Sequence, residues 1–223
     1  SLFLGSSPET AENSARNTGI GINALSSLID GQSNTAIGYE ALANNEYGSL
    51  NIAIGDSALF NNYSDQNIAI GTSALYSNTE GEWNVAIGNF ALESNTNGGA
   101  NTAVGIQVLR SNTEGFANTG VGVVALRENT TGEINTAIGT QAMFRNTTGS
   151  YNTAVGTYAL GAAEESDNNV AVGSYALTRT VSSGNVAVGQ NALRNNTTGF
   201  GGTAVGHGAL SNNDTGEMNT AIG

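Results

Sequence analysis

Hydrolysis of a glycan needs two carboxyl groups flanking the scissile bond, one as acid and one as base or nucleophile. The chain carries 18 Asp and Glu residues. Glu80, Glu82, Glu114, Glu133 and Glu217 gather at one recurring place, an Asn-Thr-x-Gly phrase and the residues just after it. Equivalent places in other copies hold Asn97, Thr131 and Thr148, so no fixed pair emerges and the group reads as a solvated acidic edge. The one histidine, His207, falls where other copies have Tyr39, Asp56, Thr72 or Gln190, which marks an exposed turn residue. With no cysteine and no second histidine there is no zinc or thiol chemistry to assign, and the serines lack a base partner. The Gly-Gly-x-Gly-x-Asp phrase of calcium-binding β-rolls is absent as well. The chain therefore reads as a non-enzyme without metal or other cofactor.

Composition narrows the class. Charged residues make up 11% and aromatics 6%, with one proline (Pro8) against 31 glycines. So much Gly, Asn and Thr does not suit an ordinary globular core, while 39% apolar residues exceed what a disordered chain carries. A thin, regular β structure reconciles the two. A net charge of −12, with six arginines and no lysine, repels phosphate backbones and anionic bilayers, so nucleic acid is not an expected partner. No apolar run approaches the roughly 20 residues of a membrane helix, and membrane contact by this segment is not expected.

The elements that position these residues come from a repeat. Its core phrase is Asn34-Thr35-Ala36-Ile37-Gly38, and the closing glycine returns from Gly21 to Gly223 in steps of 17 residues, shortened to 16 before Gly71 and Gly189. Leu2-Phe3-Leu4-Gly5 is a degenerate first copy. Residues 1–223 thus read as one repeat domain of about 13 coils, a piece of a longer fibrous protein. Each unit holds β-branched residues, two or more glycines and one or two asparagines, all poor helix formers. The fold class is all-β, a single parallel β-solenoid (a β-roll).

Within a unit, Thr-Ala-Ile and Ala-Leu read as two short extended segments, Gly-x-x and Asn-Thr-x-Gly as the turns between them. Alternation along a strand separates a β-branched face from a small one. The Ile/Val column and the Leu column (Leu25 to Leu210, with Met143) are expected to fill the interior. The Ala/Gly columns are expected to form an exposed stripe along which identical chains pack side by side. The corner asparagines, Asn78, Asn95, Asn112, Asn129 and Asn146, and the threonines after them are expected to form ladders bonded between coils.

The recurring Asn84-Val85-Ala86-Ile87-Gly88-Asn89-Phe90-Ala91 pattern resembles the head repeat of trimeric autotransporter adhesins, the YadA-like head, over essentially the whole chain. It is also similar to repeat stretches of phage-type tail-fibre proteins, in which turns like Asn146-Thr147-Thr148-Gly149 are frequent. The resemblance implies a left-handed roll, a side-by-side homotrimer, and attachment of a cell surface or virion fibre to a host-cell, matrix or glycan receptor. This unit is longer than the adhesin-head unit by its Leu-x-x-Asn-Thr-x-Gly section.

The functional expectation is an extracellular structural and adhesive fibre segment. One variable column after the Leu places Phe60 to stack with Tyr76 and Glu93 to pair with Arg110. Its aromatic and arginine members, Phe60, Tyr76, Arg110, Arg127, Phe144 and Arg194, are the candidate receptor contacts, with plain edge packing as the other reading. Two coils, near Gly161–Ser166 and Thr178–Ser183, lose the Asn-Thr-x-Gly turn and are a second place for specificity. The alternatives are an ice-binding solenoid, with Thr18, Thr35, Thr102 and their equivalents as a threonine face, and a phage tail fibre or tailspike segment.

Overall fold

The computed structural model describes residues 2–5 and 15–223; residue 1 and residues 6–14, Pro8 among them, lie outside the described part. The chain divides into two compact units, Ser1–Gly115 and Phe116–Gly223. In the first, seven short strands follow one another: β1 Leu2–Gly5, β2 Thr18–Gly21, β3 Thr35–Ile37, β4 Ile52–Ile54, β5 Ile68–Ile70, β6 Val85–Ile87 and β7 Thr102–Val104. The second holds β8 Thr119–Val121, β9 Thr136–Ile138, β10 Thr153–Val155, β11 Val170–Val172, β12 Val186–Val188, β13 Thr203–Val205 and β14 Thr220–Ile222. Within each unit every strand pairs in parallel with the next, and like residues stand opposite like, as in Val85↔Thr102, Ala86↔Ala103 and Ile87↔Val104. There is no helix among the described residues. Each unit is a parallel β-solenoid with coils of about 17 residues, as the repeat implies.

The 16-residue steps before Gly71 and Gly189 leave this register untouched: Ile52 still faces Ile68, and Val170 faces Val186. Both absorb the missing residue in the Asn-Thr-x-Gly corner. Asn62 closes onto the Ser64 carbonyl two residues on, where Asn45 and Asn78 close onto a glycine three residues on.

Which side chains face inward differs from the sequence expectation in one respect. The Leu column is buried from Leu25 to Leu193, but so is the alanine column: Ala36, Ala53, Ala69, Ala86 and Ala103 in the first unit are fully enclosed. The Ile/Val partners face outward, with Ile87 38% and Ile138 41% exposed. The reason is thickness. A coil this short leaves room between the strand and the opposite Leu for a methyl group, and a β-branched side chain there would overpack it. Phe3 shows the tolerance of the fit: it takes the alanine place in β1, and a Cβ on the facing Gly19 would lie 2.8 Å from its ring.

The Ala-Leu segment is likewise not a strand. Leu92 has φ 52° and Phe90, two residues earlier, has φ 61°, and the same pair of left-handed residues recurs in most coils. Two such residues around each alanine cancel the alternation, so that Ala91 and Leu92 both point inward. Inter-coil bonding continues through this turn: the Leu92 N–H donates to Val108 O at 3.0 Å and the Ser94 N–H to Arg110 O at 3.0 Å. These bonds offset the roughly 1–2 kcal/mol that a left-handed residue costs.

Asparagine fills the corners. The expected ladder is present, with Asn95 Nδ2 donating to Asn78 Oδ1 at 2.8 Å and Asn112 Nδ2 to Asn95 Oδ1 at 2.7 Å. Thr96 Oγ1 donates to Thr113 O at 3.1 Å beside it. A second ladder runs through the first residue of the core phrase. Asn84 Oδ1 accepts from the backbone N–H of Asn101 at 3.0 Å, and Asn84 Nδ2 donates to Gly98 O at 2.9 Å.

Candidate functional site

The sequence-selected contact residues sit in two places in each unit. In the first, Phe60 and Tyr76 lie on adjacent coils with ring centroids 5.1 Å apart and planes 3° from parallel. That separation is close to the roughly 4.8 Å step of a β ladder, so the rings are stacked along the ladder and cover each other's faces. Arg110 is held on one side by Glu93, Nε to Oε2 at 2.5 Å, and lies 5.4 Å over the Phe90 ring on the other. In the second unit Arg127 lies 5.6 Å over Phe144, and Arg194 lies 5.2 Å over Tyr175.

These groups are thus engaged mostly with one another. Phe90, Tyr158 and Tyr175 were not singled out by the sequence column, because they follow the glycine turn by two residues rather than the leucine by one. The signal that finds them is an aromatic before the recurrent alanine, as in Phe90-Ala91, Tyr158-Ala159 and Tyr175-Ala176. Phe60→Ala is expected to cost about 1 kcal/mol in urea unfolding, and the Phe60→Ala/Tyr76→Ala double variant less than the sum of the two singles, since each ring stabilises the other.

The strand face is the larger organised surface. In both units the outward residues of β2 to β14 are Thr, Ile or Val without exception, and no charged side chain interrupts them. A third column joins them just before the core asparagine. It carries Leu50, Trp83, Ile134 and Tyr151, between 41% and 61% exposed. Trp83 Nε1 donates to Gln66 Oε1 in the neighbouring coil. Among the described residues no acidic side chain stands in these three columns. The expected Ala/Gly contact stripe is not available: its alanines are interior, and so are Gly19 and Gly120, which take the alanine place in β2 and β8.

Chemistry-bearing groups are dispersed. His207 is exposed at its turn, and Glu80, Glu114 and Glu217 are exposed near theirs. The Tyr39 phenol is held above its usual value, first by hydrogen bonding to Glu40 and then by the charges of Glu40 and Asp56. No three His, Cys, Asp or Glu side chains converge as metal ligands among the described residues, and no cleft opens among them. No helix there is long and apolar enough to cross a membrane. Comparison with protein-family models, curated proteins and solved structures returns no match to the chain.

Proposed function

We propose that this protein is an extracellular structural and adhesive fibre segment whose chains assemble side by side as a homotrimer, in the manner of trimeric adhesin heads or tail-fibre repeats. The observation that carries the proposal is the uncharged Thr/Ile/Val face of the strands. Such a face, repeated coil after coil, is the kind of surface that marks a contact site. Burying one Ile or Val side chain contributes about 1.5–3 kcal/mol, so even partial coverage of several coils exceeds what association costs. Adhesion in such an assembly rests on avidity, with many weak, repeated contacts to a host-cell, matrix or glycan receptor.

Light scattering coupled to size exclusion tests the assembly. The expected mass is about three times the 22.5 kDa of the chain. Val85→Arg with Ile87→Arg, both outward on β6, is expected to shift the protein toward monomer with its circular dichroism unchanged. A wild-type monomer at micromolar concentration would sink the proposal.

The outward Thr column on the same face favours a second reading, an ice-binding surface. It is interrupted by Ile52, Ile68, Val85, Val170 and Val186, which breaks the regular hydroxyl array. A monomer that shows thermal hysteresis would select that reading over the first.

A further inference from the structure

A full corner has a fixed bonding pattern. Its Asn donates through Nδ2 to the glycine carbonyl three residues on and to Oδ1 of the Asn one coil earlier; for Asn146 these are Gly149 O at 2.9 Å and Asn129 Oδ1 at 2.7 Å. Each Oδ1 is thereby served by the amide of the following coil. Serine replaces the glycine in three corners, and in two of them its hydroxyl is paired. Ser64 Oγ donates to Gly81 O at 2.7 Å and lies 3.1 Å from Asn62 Oδ1. Ser182 Oγ donates to Gly199 O at 2.6 Å and lies 2.9 Å from Thr180 Oγ1.

The third corner, Ala163-Glu164-Glu165-Ser166, keeps its full length but has alanine in the asparagine place. Ala163 supplies no amide. Asn146 Oδ1 and Ser166 Oγ are both left without a hydrogen-bond partner, although Asn146 is 1% and Ser166 2% exposed. The glycines show what is missing. Beside Gly132, a Cβ would lie 2.5 Å from Asn129 Oδ1 and 2.8 Å from Asn146 Nδ2. Beside Gly149, Asn146 Oδ1 is again at 2.5 Å, but the next atoms are the Ser166 carbonyl and backbone nitrogen, with no side-chain amide from the following coil. Asn146 Oδ1 is therefore a buried acceptor without the amide that serves its equivalents, and Ser166 Oγ is a second unpaired oxygen of the same corner, where the equivalent Ser64 Oγ lies 3.1 Å from its own corner asparagine.

We propose that this corner binds one structural water in place of the missing amide, donating to Asn146 Oδ1 and hydrogen-bonded to Ser166 Oγ. A buried water is stable where a polar gap offers it two to four partners. A donor is needed because an acceptor stripped of bulk water and left unpaired is destabilising.

A high-resolution crystal structure of the protein and of Ala163→Asn tests this. The expected result is one solvent peak within hydrogen-bond distance of both oxygens in the wild type, replaced in Ala163→Asn by the introduced side-chain amide. In solution, the Thr147 amide, which donates to Glu164 O at 2.8 Å across this corner, is expected to exchange about fivefold more slowly in Ala163→Asn. Ala163→Leu, which fills the space without a donor, is expected to speed that exchange. A dry gap, or Ser166 Oγ turned onto a backbone carbonyl with no solvent peak, would overturn the proposal, as would slower exchange in Ala163→Leu.

Discussion

Gly88→Ala is expected to abolish cooperative folding of the first unit, with a loss on the order of 4 kcal/mol or more in urea unfolding. Gly88 has φ 135°, outside the left-handed well that Asn or Leu can occupy. A Cβ there would lie 2.3 Å from Gly105 O and 2.6 Å from Gly105 C, both backbone atoms of the next coil. Neither can yield without breaking the parallel ladder that joins β6 to β7. Gly208→Asn is the contrasting variant. Gly208 has φ 70° with open space around its Cβ position, and Asn23 and Asn191 occupy the same place in other coils at φ 58° and 60°. Its effect is expected within about 0.5 kcal/mol. Equal losses for the two substitutions would mean that the glycine ladder is not what sets the coil contact.

Asn84→Ala is expected to destabilise by about 3 kcal/mol, measured in the same way. Asn84 is fully buried, and its Oδ1 accepts both the Asn101 N–H and Asn101 Nδ2, at 3.0 and 3.2 Å. Removing it takes that acceptor from a buried backbone N–H and leaves a cavity in the corner. Gly98 O is less affected, because Asn95 Nδ2 also donates to it at 2.8 Å. The cost should therefore fall on the Asn101 side of the contact, and amide exchange should rise there first. A loss below about 0.5 kcal/mol would show that the second asparagine ladder is ornamental.

Much of the coil was legible because its signals are local. The glycine spacing sets the repeat, and repeated Asn-Thr-x-Gly phrases mark a corner whose ladder has the bonding expected for Asn78, Asn95 and Asn112. Phe60 on Tyr76 and Glu93 on Arg110 also follow directly from register. The facing of the strand did not. Alternation divides Ala86 from Val85 and Ile87 but does not say which side is inward, and hydrophobicity pointed to the wrong one. What decides it is the distance across the coil, which depends on Leu92 and its equivalents adopting a left-handed backbone. Leucine carries no preference for that conformation, so nothing in Ala-Leu announces a turn. Arg110 over Phe90 and Arg194 over Tyr175 were hidden for a related reason: they join different columns, brought together only by that turn.

The placement of the one-residue deletions before Gly71 and Gly189 in the Asn-Thr-x-Gly corner has an evolutionary reading. Each coil bonds chiefly to the coils before and after it, so stability is close to a sum of nearest-neighbour steps. Gain or loss of a complete coil leaves every remaining strand in register, whereas a single-residue change is survivable where Ser64 and Ser182 now stand and would shift β-branched residues into the alanine interior if it fell in a strand. Length in such a protein is therefore quantised: recombination between repeats can lengthen or shorten it in whole coils while each surviving coil keeps its surface chemistry.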